Sequence, residues 1–189
     1  MRSILFPLSL LALSACAASI PPVEVTRFHL GQQPAAGAVA IEAADGQNAA
    51  NLEFGTYAAA VSRELIRLGY PTESKPAYRV VLGFERGERQ VAKRSPVTIG
   101  IGGGSFGGSV GIGVGTSFGV GKSTSEIVAT RMSVQMKRVS DGAVVWEGRA
   151  QTEAPGNAPA AQPGLAADKL ARALFQDFPG ESGRTITVP

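Results

Sequence analysis

Two kinds of periodicity take turns along this chain. Residues 23–30 alternate, with Val23 and Val25 on one side, before Phe28 and Leu30 are expected to shift the apolar face. Residues 37–43 read as a second strand, closed by the turn cluster Asp45-Gly46-Gln47-Asn48. From about residue 50 to 68 the period lengthens. Leu52, Tyr57, Ala60, Val61, Leu65, Ile66 and Leu68 form a helical stripe, with Gly69 placed to cap it and Pro71 to prevent continuation. Alternation returns at residues 77–86 through Tyr78, Val80, Leu82 and Phe84. It resumes at 127–139 through Ile127, Ala129, Met132, Val134 and Met136, where a slip after Ala129 predicts a bulge. Asp141-Gly142 is a hairpin signal, and residues 143–150 are the return strand. A second stripe over 165–178 (Leu165, Leu170, Ala173, Leu174, Phe175, Phe178) ends at Pro179-Gly180, and residues 184–188 can add an edge strand.

Strands in hairpins separated by helices predict an α+β two-layer sandwich: a mainly antiparallel sheet, two helices on one face, and the other face partly open. Between the third and fourth strands lies a long glycine-rich hairpin or loop insert, residues 99–121. There Val110, Ile112, Val114 and Val120 alternate with glycines, giving one apolar and one bare face. A bare face lets another backbone, a membrane surface or an identical hairpin approach closely. Phe106, Val110, Ile112, Val114 and Phe118 are the binding candidates on this insert. Its resemblance to nucleotide loops does not hold. Gly102, Gly104 and Gly107 satisfy G-x-G-x-x-G, but more glycine follows where a dinucleotide site needs a helix. Gly121-Lys122-Ser123 lacks the first glycine of a P-loop, whose place Thr116 takes.

The start of the chain carries an address. Arg2 precedes an apolar run ending Leu13-Ser14-Ala15-Cys16, too short to span a bilayer. It resembles a bacterial lipoprotein signal with its lipobox. That resemblance implies cleavage after residue 15, lipid on Cys16, and a tether over 16–22 stiffened by Pro21 and Pro22. A single domain follows over 23–189. Ala17, rather than aspartate, after the cysteine implies the outer membrane, with the domain on the periplasmic side.

Composition narrows the chemistry. Cys16 is the sole cysteine, so the folded body holds no disulfide and no catalytic thiol. The net charge of +3 comes from interspersed rather than clustered residues, which does not indicate nucleic acid as a partner. His29 is the sole histidine, expected on the outward side of the first strand, with no second imidazole or thiol to complete a zinc site. No catalytic set, metal site or cofactor site is therefore assigned. Trp146, the sole tryptophan, is expected as a packing anchor.

Several of these segments together resemble one family. The lipobox, Leu65-Ile66-Arg67-Leu68-Gly69-Tyr70, Ala77-Tyr78-Arg79-Val80-Val81, and the hairpin from Val139 to Gly148 through Asp141-Gly142 and Trp146 are similar to the DUF4136 bacterial lipoproteins. The chain lacks that family's aspartate-rich first strand and Phe-Ser-x-Tyr-x-Thr-Tyr stretch between Val23 and Ala43. The resemblance implies no activity and carries no site residues. The leading expectation is a non-catalytic binding or scaffold module of the envelope, anchored through Cys16, with an envelope protein or a second copy as partner. Two alternatives stand beside it. One is an envelope hydrolase with a spatially assembled carboxylate or serine site. The other is a membrane-active or self-assembling protein working through the glycine-rich hairpin.

Overall fold

A computed structural model describes residues 21–92 and 124–189. Strand β1 (Val23–His29) is followed by β2 (Val39–Ala43), helix α1 (Leu52–Arg67), β3 (Tyr78–Ala92), β4 (Thr124–Arg138) and β5 (Val144–Pro155). A 3-10 turn (Pro159–Ala161), helix α2 (Pro163–Phe175) and strand β6 (Thr185–Val188) complete the chain. The six strands form one sheet in the order β2-β3-β4-β5-β1-β6. Every neighbouring pair is antiparallel except β2 and β3. Those two are parallel because α1 lies between them and carries the chain back to the starting end. The α+β class is as expected. Both helices cover one face, and the insert 99–121 lies outside the described residues.

The helices begin and end where local chemistry dictates. Asn51 caps α1, its side chain accepting the Glu53 N–H at 2.8 Å. At the other end Gly69 adopts φ +89°, Tyr70 N–H reaches back to Leu65 O and Gly69 N–H to Ile66 O. This Schellman closure needs a left-handed residue, which glycine supplies without strain. Helix α2 stops at Phe175, three residues before the expected end. Phe178 still joins the core, but by folding back in a turn: its ring lies 5.2 Å from Trp146 and 5.9 Å from Tyr70.

The core fills the space between the helices and one sheet face. Val23, Val25, Val80, Leu82, Met132, Val134, Met136, Trp146 and Ala150 meet Tyr57, Val61, Leu65, Leu170, Leu174 and Phe175. Three expectations require correction. Leu52 on α1 is 91% exposed, Ile66 is 55% exposed and Leu165 on α2 is 51% exposed, because these positions sit at helix ends or edges that overhang the core. The apolar face of β1 does not shift. Arg27 keeps the buried parity of Val23 and Val25, while Phe28 and Leu30 point away from the core. Finally, β4 does not slip after Ala129. Val128, Thr130, Met132, Val134 and Met136 are buried in unbroken alternation, and the irregularity lies in the partner. Met136 pairs Trp146 and Lys137 pairs Val144, leaving Val145 extra in β5.

Tyr57 gives the core a pH signature. Its ring stacks on Phe84 at 4.3 Å, and its hydroxyl is buried without a well-formed hydrogen bond among the described residues. Burial pushes its pKa up to about 12, and Glu53 pushes the same way, against weaker opposition from Arg86 and Thr130. The folded state thus retains a proton that the unfolded chain gives up near pH 10. The contribution is whole below pH 10 and is lost as pH rises toward 12. Absorbance titration is expected to show one phenol ionising late, and Tyr57→Phe should flatten the alkaline loss of stability. An unchanged alkaline profile in that variant would contradict this assignment.

Candidate functional site

The helix-free face of the sheet is polar across its middle. Strand pleating sends alternate side chains to opposite faces, so the residues between the core positions collect here. One row runs Gly83, Ser133, Arg149, Thr26 and Thr185 across β3, β4, β5, β1 and β6. The next runs Glu85, Arg131, Gln151, Glu24 and Thr187 along the same strands. Period-two alternation in each strand predicts the polar sides. Only the register brings them into rows.

These rows are laced together. Thr26 and Thr185 hydroxyls are 2.7 Å apart, Arg131 Nε donates to Gln151 Oε1 at 3.2 Å, and Gln151 donates in turn to Glu24. Arg149 pairs with Glu147 at 2.7 Å, which also accepts from Gln135. Because these pairs are exposed they add little stability, about 0–1 kcal/mol each. Their consequence is orientation: planar groups are held in place on a solvent-facing surface.

The rows frame a hollow of about 620 Å³. Its wall is the turn after β2, where Ala44 N–H bonds Leu82 O and Gln47 Nε2 donates to Phe84 O. Gly83 makes the close approach workable, since a β-carbon there would stand 2.9 Å from Ser133 Oγ and 3.3 Å from the Ala44 β-carbon. Glu24, Asp45, Glu85, Arg131, Arg149 and Gln151 line the hollow. Such a mixed donor and acceptor surface suits an extended polar partner that exchanges hydrogen bonds across several strands.

The same geometry bears on chemistry. Ser133 Oγ donates to Gly83 O at 3.5 Å and has no imidazole beside it. His29, expected on the outward side, follows the buried parity instead. Its Nε2 donates to Gly180 O and its Nδ1 accepts the Gly31 N–H, both at 3.1 Å. Both ring nitrogens are engaged in holding loops. Among the described residues, no group of three His, Cys, Asp or Glu side chains could hold a metal ion. Trp146 is fully buried, as expected of a packing anchor. Cys16, Phe106, Val110, Ile112, Val114 and Phe118 all lie outside the described residues. The sequence predicts a partly open sheet face but singles out none of its residues as a site, although the polar positions of β4 and β5 are visible there.

The fold and this face define a small α+β domain with one packed and one solvent-facing sheet surface. The chain belongs to the family described as a domain of unknown function, DUF4136, whose model matches residues 27–180. An uncharacterised protein of Zymomonas mobilis is 32% identical to it over 88% of this chain and 80% of its own. Among solved structures, it is similar to the PelC dodecamer from Paraburkholderia phytofirmans, with 13% identity and a TM-score of 0.41 over 80% of this chain and 93% of that one. It is also similar to a PDZ domain protein from Parabacteroides distasonis, with 10% identity and a TM-score of 0.47 over 89% of this chain. The chain spans 39% of that protein's length. Neither likeness bears on function.

Proposed function

We propose that this protein is an outer-membrane lipoprotein facing the periplasm that works as a non-catalytic binding module of the cell envelope. Its binding surface is the open sheet face. The observation that carries the reading is the sorting of the two faces: one is closed by α1 and α2, the other is a polar, pre-positioned surface with a hollow at Gly83 and Ser133. The lipobox ending at Cys16 supports the anchor. The start of β1 is fastened to the body, since Lys169 Nζ donates to Pro21 O and Thr152 Oγ1 donates to Pro22 O at 2.9 Å. Residues 16–21 then span at most about 18 Å. That leash keeps the domain within about its own diameter of the bilayer.

The anchor and the surface are tested separately. Palmitate labelling is expected at Cys16 and to vanish in Cys16→Ser, with release from the membrane fraction. A photo-crosslinking side chain at Thr26 or Ser133 is expected to give a discrete adduct with an envelope protein, while one at Ala59 on α1 gives none. The binding reading fails if the Ala59 position yields the same adducts as the sheet face.

A further inference from the structure

Two exposed lines run along the helix layer. On α1, Leu52, Ala59 and Ile66 recur at intervals of seven, about two turns of helix, and all three are exposed. Phe54 and Val61 follow Leu52 and Ala59 by two residues, about 200° around the helix, and both are buried. That line therefore points away from the sheet. On α2, Leu165 and Arg172 repeat the interval, are exposed, and precede buried Ala167 and Leu174 by the same two residues. The two lines meet in a common surface. Leu52, Ala59, Arg63, Leu165 and Asp168 line one open groove between the helices, and Arg63 is ion-paired with Asp168 across it.

This face combines apolar and cationic groups. Leu52, Ile66 and Leu165 are large aliphatic side chains left exposed. Arg63, Arg67 and Arg172 stand exposed beside them, with Lys169 on the flank. The neighbouring carboxylates are already engaged: Glu64 accepts from Arg67 at 2.8 Å, and Asp168 from Arg63. Aliphatic side chains rimmed by guanidiniums suit a phospholipid surface, where the apolar groups enter the head-group region and the cations meet phosphate.

The chain ahead of β1 starts from the same side. Lys169 Nζ donates to Pro21 O, which fastens the start of the leash to the flank of α2. From there Cys16 is at most about 18 Å away. We infer that the domain lies with its helix layer against the phospholipid leaflet that holds the Cys16 lipid, with Leu52, Ile66 and Leu165 in the head-group region. This orientation rests on the anchor proposed at Cys16, and not on any partner of the sheet face. The sheet face is unsuited to the same role, because Glu24, Asp45, Glu85, Arg131 and Arg149 would lose water against lipid without gaining partners. A lipid on one residue sets only the distance to the bilayer. The apolar lines on α1 and α2 set the orientation, and they turn the polar sheet face toward the periplasm.

The orientation is tested with the lipidated protein in vesicles of phosphatidylethanolamine and phosphatidylglycerol. With Cys16 acylated, an engineered cysteine is the one free thiol for a fluorophore. A fluorophore on Ala59→Cys is expected to be quenched several-fold by lipids brominated near the head group, and one on Ser133→Cys is not. Leu52→Gln, Ile66→Gln and Leu165→Gln together should abolish the quenching at Ala59, while palmitate labelling and circular dichroism stay unchanged. All three side chains are exposed, so their exchange leaves the core intact. Equal quenching at Ala59 and Ser133 in palmitate-labelled protein overturns the orientation and leaves the anchor standing. Quenching at Ala59 that survives the triple substitution does the same. Absence of palmitate removes the anchor and this orientation together.

Discussion

Trp146→Ala is expected to produce the largest loss of stability of any single substitution considered, about 3–5 kcal/mol. Its indole is fully buried at the meeting point of β5, α2 and the segment after α2. It stacks on Phe175 at 5.3 Å, meets Phe178 at 5.2 Å, and donates from Nε1 to Pro179 O at 3.0 Å. Removing it opens a large cavity and leaves the Pro179 carbonyl without that donor. The packing is tight enough that Gly148, two residues along, has no room for a side chain: a β-carbon there would lie 2.4 Å from the indole. Neighbours thus cannot simply collapse into the space from β5. For a chain of this size such a loss corresponds to a fall in melting temperature of order 10 °C. Thermal denaturation checks this, and a fall of only a degree or two would mean that the indole is not the anchor.

Arg27→Met is expected to cost about 3 kcal/mol, although methionine fills much of the same space. Arg27 is 3% exposed on the core side of β1. Its Nε donates to Leu174 O at 2.9 Å and its Nη2 to Ala173 O at 2.7 Å, the last turn of α2. A cation there satisfies carbonyls that the helix leaves without partners and matches the negative end of its dipole. Burial lowers the guanidinium's pKa, and the Asp177 charge opposes that effect. Gly180 packs against the stem so closely that a β-carbon would stand 2.6 Å from Arg27 Cδ. Arg27→Lys should recover only part of the loss, because an ammonium cannot reproduce the planar fork to two carbonyls. Denaturant unfolding measures both. Equal stability of Arg27→Met and the parent would refute the capping role.

The two substitutions mark where the sequence was readable. Trp146 is apolar at a core parity of an alternating strand, so its burial follows from period two and hydrophobicity. Arg27 breaks the apolar pattern of its strand at the position where the buried face continues. Pattern alone therefore transfers the core to Phe28 and Leu30, both of which are exposed. What reverses that reading is the carboxyl end of α2, some 147 residues away in the chain. A lone strand contains no sign that a helix end will arrive over it. The helix stripes fail for a related reason at Leu52, Ile66 and Leu165: the period is correct, but only docking determines how far the core reaches along each helix.

The polar sheet face follows the same division. Alternation separates Ser133 from Met132 and Arg149 from Ala150, so the sequence states which side chains share a side of one strand. It does not state that Gly83, Ser133, Arg149, Thr26 and Thr185 lie in one row, since that is a property of register between strands distant in sequence.

By itself, the sequence determined the α+β class, the order of the helices and strands though not the full reach of β3 and β5, the capping glycine at 69, and a body with a single histidine and no thiol beyond Cys16. These depend on periodicity, turn chemistry and composition, which act over a few residues. Only the tertiary structure decided the parallel pairing of β2 with β3, the burial of Arg27 and the polar rows. Each depends on which distant segments become neighbours, and that is settled by packing the whole core at once.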